Sequence, residues 1–117
     1  MSTVFAFDVD ETLEISMGPV PISALVELRS QGHIVGICGN MEVFCRLPNW
    51  HEIASFIGQG YCTKEAFLYN LKLNIRADDY VMVGNRQGVT GASNDEGAAL
   101  KAGWRFILER DFVAGQR

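Results

Sequence analysis

No stretch of these 117 residues stays apolar long enough to cross a bilayer, and the N-terminus has no basic segment leading into an apolar one. A membrane span and a secretory signal are both unexpected, and a cytoplasmic location follows by default. Cysteine is scarce: Cys38, Cys45 and Cys62 form no Cys-x-x-Cys pair, and their odd number argues against a disulfide framework and for reduced thiols. Positive charge is also scarce. Lys and Arg number 10 against 14 Asp and Glu, for a net charge of −4 without a basic cluster, so tight nonspecific binding of nucleic acid is not expected. A nucleic acid remains open as a substrate. Linkers, repeats and low-complexity segments are missing too. An apolar content of 48% with 21% charged residues is that of a soluble globular chain, and the length suits a single domain over 1–117.

The patterning alternates strand and helix. Val4–Phe7 is a bulky apolar run with nothing polar on either face, as in a strand buried between two helical layers. Pro19 and Pro21 precede an apolar stripe of helical period, Ile22, Leu25, Val26 and Leu28, which predicts a helix within 19–31, with Gly32 as its stop. His33–Cys38 reads as a second strand parallel to the first. Residues 41–56 are irregular around Pro48-Asn49 and suggest only a short helix at 50–55, with Trp50 exposed. A third strand is expected at 56–61, then a helix capped by Thr63 and carrying Phe67, Leu68 and Leu71. Tyr80–Val83 is a fourth strand. Ser93-Asn94-Asp95-Glu96 has capping-box spacing for a helix that closes at Gly103, and a last strand spans 104–108. The fold class expected is α/β: three layers, Rossmann-like, around a mostly parallel sheet of about five strands.

In such sheets ligands bind beyond the carboxyl ends of the strands, where Asp8, Asp10, Gly39, Asn40, Gly84 and Asn85 would gather. Asp8 and Asp10 stand at the mouth of the first strand, separated only by Val9. Two acids so close are tolerated if a divalent cation neutralises them or if one keeps its proton. Both conditions suit phosphoryl transfer through an aspartyl phosphate, with the second acid moving protons. The plainer alternative is that short acids cap the turn after a strand.

The run Asp8-Val9-Asp10-Glu11-Thr12-Leu13 resembles the Asp-x-Asp-x-Thr motif of the haloacid dehalogenase superfamily, mostly Mg²⁺-dependent phosphatases with a Rossmann-like core. The resemblance implies Asp8 as nucleophile and metal ligand, Asp10 as general acid/base with its carbonyl on the metal, and Thr12 as an orienting residue. It places Cys38 where the family usually has a phosphate-binding Ser or Thr. Phosphate would then rest on the backbone amides of Gly39 and Asn40; as a residue in itself, Cys38 also reads as a small buried apolar side chain. Lys64 is the implied lysine steadying nucleophile and phosphate, against the alternative of a solvated lysine, and Lys72 is a weaker candidate. The last motif departs from the family: Val83-Gly84-Asn85 carries Asn85 in place of an acid, and residues 86–91 lengthen the gap before Asn94-Asp95. The implied metal ligands are Asp8, Asp10, Asn85 and Asp95, although Asp95 would suit the first turn of any helix. His33 and His51 lack partner patterns and read as structural.

The segments between the motifs leave no room for a cap domain. The resemblance thus implies a capless phosphatase of phosphomonoesters with Mg²⁺ as cofactor. Its open site would take a phosphorylated substrate of macromolecular size or be covered by a second copy in a homo-oligomer. A rival reading is a catalytically impaired relative that acts by binding or regulation, since Cys38 and Asn85 depart together. A signalling receiver domain has similar length and paired acids, but it needs an acid at the end of its third strand, and residues 56–62 contain none.

Overall fold

The structure, a computed structural model, describes residues 2–87 and 94–117. Five strands form one sheet in the order β3-β2-β1-β4-β5. They are β1 (Thr3–Phe7), β2 (Ile34–Cys38), β3 (Phe56–Gly58), β4 (Asp79–Gly84) and β5 (Arg105–Leu108), and every pairing is parallel. Parallel neighbours need crossovers, and helices supply them: α1 (Ile22–Ser30), α2 (Met41–Phe44), α3 (Trp50–Ile53), α4 (Lys64–Asn74) and α5 (Asp95–Lys101), with α6 (Glu109–Val113) after β5.

Side chains of a strand alternate between faces, and β1 divides the core accordingly. Phe5 and Phe7 join Leu25 and Leu28 of α1, Ile53 of α3 and Phe112 of α6 in one apolar cluster. Val4 and Ala6 join Leu68 of α4, Ala99 of α5 and Trp104 in the other. The sheet is therefore covered on both faces, the three-layer α/β arrangement expected from its continuous apolar strands. The chain leaves β1 toward β2 and leaves β4 toward β5, so the switch of winding direction lies between β1 and β4. A crevice at their carboxyl ends is the consequence.

Several expectations change in detail. The third strand is only Phe56–Gly58, because Gly60 takes a left-handed conformation at φ 69° and the chain turns away from the sheet. Met41–Phe44 and Glu109–Val113 are helical where no helix was expected; both are single short turns whose apolar periodicity is too brief to register. Ser93 of the expected capping box lies outside the described residues; the α5 cap that is described is Asn94, whose side chain accepts from the Gly97 amide at 3.1 Å. Trp50 is half-buried and packs on the α1-side core rather than standing in solvent.

Candidate active site

The site grows from the loop after β1. Asp8 still belongs to the sheet, its amide donating to Val83 C=O at 2.9 Å, so its position is set by two central strands. Beyond it the chain folds back on itself. Glu11 and Met17 adopt left-handed φ values of 60° and 67°, Leu13 pairs with Val20, and the Val20 amide donates to Thr12 C=O at 2.9 Å. Gly18 packs so closely on the Thr12 backbone that a Cβ there would lie 2.1 Å from it. This fold-back buries Thr12 and aims its hydroxyl at Asp8 Oδ2, 3.3 Å away, and at Asn85 Oδ1, 3.4 Å away.

The two acids of the opening motif have opposite environments. Asp8 is buried, whereas Asp10 is exposed and accepts from Ser16 Oγ at 2.7 Å and Asn40 Nδ2 at 3.2 Å. Lys64, the first residue of α4, inserts its ammonium between Asp8 Oδ1 at 2.7 Å and Asp95 Oδ1 at 2.5 Å. A cation at a helix N-terminus is opposed by the helix dipole, and two carboxylates overcome that cost. Asp95 opens α5, where the dipole favours an acid, and its second oxygen accepts from the Asn85 amide at 2.8 Å.

These contacts set the proton affinities. Burial, reinforced by the negative charge of Asp95 and opposed by Lys64, pushes the Asp8 carboxyl up to about 7. Burial pulls Lys64 down, but Asp8 and Asp95 together outweigh it and hold the ammonium above the ordinary lysine value. One cation between two carboxylates leaves the triad one negative charge in excess when both acids are ionised.

Asp8, Asp10, Gly39, Asn40 and Lys64 line one cleft of about 510 Å³ with Met41, Gln59, Gly60 and Tyr61. The missing side chain of Gly39 is what admits Asp8, since a Cβ there would come 2.6 Å from Asp8 Oδ1. Its amide does not face a phosphate as expected: it donates to Gly58 C=O at 2.8 Å, tying β2 to β3. Cys38 is likewise displaced from its expected phosphate-binding role. Its side chain lies in the apolar core against the α4 and α5 layer, does not line the cleft, and burial pushes its thiol up to about 12. Lys72 is remote in function, donating to Gly103 C=O at 2.7 Å and lying over the Tyr80 ring. His33 is structural: Nδ1 accepts from the Thr3 amide at 3.2 Å.

Asn85 follows β4 as Asp8 follows β1, and its carboxamide bridges the site. Nδ2 donates to Glu11 C=O at 3.1 Å and to Glu109 Oε2 at 3.4 Å, which turns Oδ1 toward Thr12. Glu109 escaped the sequence reading. The available signal was positional, since it is the polar residue directly after a buried strand, as Asp8 and Asn85 are. Among the described residues no group of three or more His, Cys, Asp or Glu side chains is arranged to hold a metal ion. Asp95 has both oxygens engaged by Lys64 and Asn85.

Comparison with models of known protein families, with curated proteins and with solved structures finds no match for this chain. Among the described residues no helix is long and apolar enough to cross a membrane.

Proposed function

We propose that this protein is a Mg²⁺-dependent phosphomonoester hydrolase of the haloacid dehalogenase type, acting through an aspartyl phosphate on Asp8. The observation that carries this reading is the placement of Asp8: directly after a central strand, at the winding switch, on an open cleft that Asp10 also lines, with Lys64 on one oxygen. A buried carboxylate held in a fixed orientation at the wall of an open cleft is suited to attack rather than to capping a turn.

In the proposed reaction an Asp8 oxygen attacks phosphorus, the ester P–O bond breaks, and the departing oxygen takes a proton from Asp10. Water then attacks the aspartyl phosphate and gives a proton to Asp10, and the bond to Asp8 breaks to release phosphate. Thr12 holds the attacking carboxylate, and Lys64 offsets charge on Asp8 and on the incoming phosphoryl group. Support for a hard cation comes from the oxygens around Thr12: Asp8 Oδ2 and Asn85 Oδ1 both face one hydroxyl, which has one proton to give. These two, with the main-chain carbonyl of Asp10, are the donors that would hold Mg²⁺, an all-oxygen set of the kind it takes. When bound, the ion would neutralise charge on the transferring phosphoryl group. Asp95 serves in this reading as anchor for Lys64 and the Asn85 backbone rather than as a direct ligand.

The test is hydrolysis of p-nitrophenyl phosphate with Mg²⁺ by the parent and by Asp8→Asn. The parent should turn over and form a hydroxylamine-labile phosphoprotein, and the variant should lose about 10³-fold or more in kcat. Equal rates would remove Asp8 as nucleophile. A second reading, an impaired relative that binds phosphate esters without turnover, is favoured by the neutral Asn85 and by Lys64 holding Asp8 at 2.7 Å. It predicts calorimetric phosphate binding with no phosphoprotein.

A further inference from the structure

We propose that the Gln59–Tyr61 wall of the cleft is the leaving-group subsite and that it takes the base of a nucleoside monophosphate; this rests on the phosphatase reading of the same cleft. Two observations on this wall coincide. The Tyr61 ring is fully exposed on the cleft that Asp8, Asp10 and Lys64 also line. Gln59 Oε1 is the buried side-chain oxygen that has no hydrogen-bond partner among the described residues. A single exposed aromatic is ordinary, but a buried acceptor left unpaired is costly and rare. The terminal torsion of a Gln side chain is soft, so a ligand N–H arriving in the cleft can satisfy it.

The chemistry of the partner follows. An exposed aromatic face takes a planar ring by stacking. An unpaired carboxamide oxygen asks for an N–H donor, and the carboxamide's adjacent oxygen and NH₂ match the N6 and N7 edge of adenine. A phosphotyrosine ring would stack equally well but carries no N–H. The cleft disfavours longer polyanions: Asp10 lines it and is exposed, and Glu11 is exposed next to it in the chain, so further phosphates of a nucleic-acid chain would meet carboxylates. A single phosphate on a neutral nucleoside fits these constraints. In the reaction the nucleoside oxygen takes the Asp10 proton as its bond to phosphorus breaks and the Asp8–phosphorus bond forms.

Steady-state kinetics with AMP, ribose 5-phosphate and phosphotyrosine test the subsite. AMP should exceed ribose 5-phosphate in kcat/KM by about tenfold or more, the range expected of one base–aromatic stack. Tyr61→Ala and Gln59→Ala should each shrink that ratio through KM, and Tyr61→Phe should restore the stacking share. Calorimetry of AMP into Asp8→Asn reads binding without turnover, and adding Tyr61→Ala should weaken it about tenfold. Equal kcat/KM for AMP and ribose 5-phosphate, a ratio untouched in both variants, or preference for phosphotyrosine would overturn the proposal. If no ester is hydrolysed, the phosphatase reading fails by itself; Tyr61-dependent AMP binding to the parent would then still uphold the base subsite, and no AMP binding would overturn it.

Discussion

Asp8 and Asn85 show why single residues in this site are chosen as they are. Asp8 has its pKa raised to about 7 in the folded chain, so the folded state retains a proton that the unfolded state has released above about pH 4. Its contribution to stability is therefore lost as pH rises from about 4 to about 7, the reverse of an ordinary salt-bridged carboxylate. Without metal, Asp8→Asn should melt at a higher temperature than the parent at pH 8 and keep only about a third of that advantage at pH 5. The difference at pH 8 should be on the order of 2–4 kcal/mol by linkage. Thermal melts in chelator at the two pH values check it, and a parent as stable as the variant at pH 8 would contradict it. Asn85 carries a different lesson. Its NH₂ serves Glu11 C=O and Glu109 Oε2, so Asn85→Asp would replace a donor by a carboxylate facing two acceptors. A loss of about 2–3 kcal/mol at neutral pH is expected from the unpaired buried groups. Glu109→Gln in the same chain should recover much of it by supplying a donor to the new carboxylate. A double-mutant cycle by chemical denaturation measures this coupling, and strict additivity would show that the Asn85–Glu109 contact is not energetic.

At the scale of elements, the functional groups sit on helix and strand ends, and the caps position them. Thr63 Oγ1 accepts from the Ala66 amide at 3.1 Å and fixes where α4 begins, one residue before Lys64. Thr63→Ala should cost about 1 kcal/mol of stability. If the cap also sets the ammonium, it should raise KM for phosphate esters more than it lowers kcat, read by paired denaturation and kinetics. Strand ends are subject to a steric demand instead. Gly84 closes β4 where a Cβ would lie 2.5 Å from Asp95 Oδ2. Gly84→Ala must displace Asp95 and with it Lys64, so it should cost about 1–3 kcal/mol by overpacking and depress activity more than Thr63→Ala does. A fully active Gly84→Ala protein would mean that α5 can shift without disturbing the site.

For the molecule as a whole, one core face depends on the last helix. Phe112 of α6 meets Phe7 edge-on at 5.3 Å and Phe5 at 6.3 Å, directly beneath the strand that carries Asp8. Phe112→Ala should cost about 3–5 kcal/mol, a large part of a small domain's stability, and is checked by equilibrium denaturation. A cost below about 1 kcal/mol would show that α6 is not integral to the α1-side core. The same helix begins at Glu109, so core packing and the orientation of Asn85 are linked through one short turn.

The strand–helix alternation, the buried character of β1 and the convergence of Asp8, Asp10, Asn40 and Asn85 at one sheet edge were legible because they depend on local periodicity and on the handedness of parallel crossovers. Thr63 was legible as a cap for the same reason: its partner is three residues away. The contacts that define the site were not. Lys64 meets acids 56 and 31 positions distant, and whether it bridges them or lies in solvent is decided only when α4 and α5 pack side by side. Cys38 could be either core or ligand until strand β2 assigned its face, and the Gly39 amide could serve phosphate until β3 claimed it. Glu109 entered the site because β5 ends level with β4, a register that no neighbouring residue encodes. Local spacing thus determined which chemistry stands at the strand ends, whereas long-range packing decided which oxygen, amide and ammonium face one another, because burial and proton affinity depend on neighbours remote in the chain.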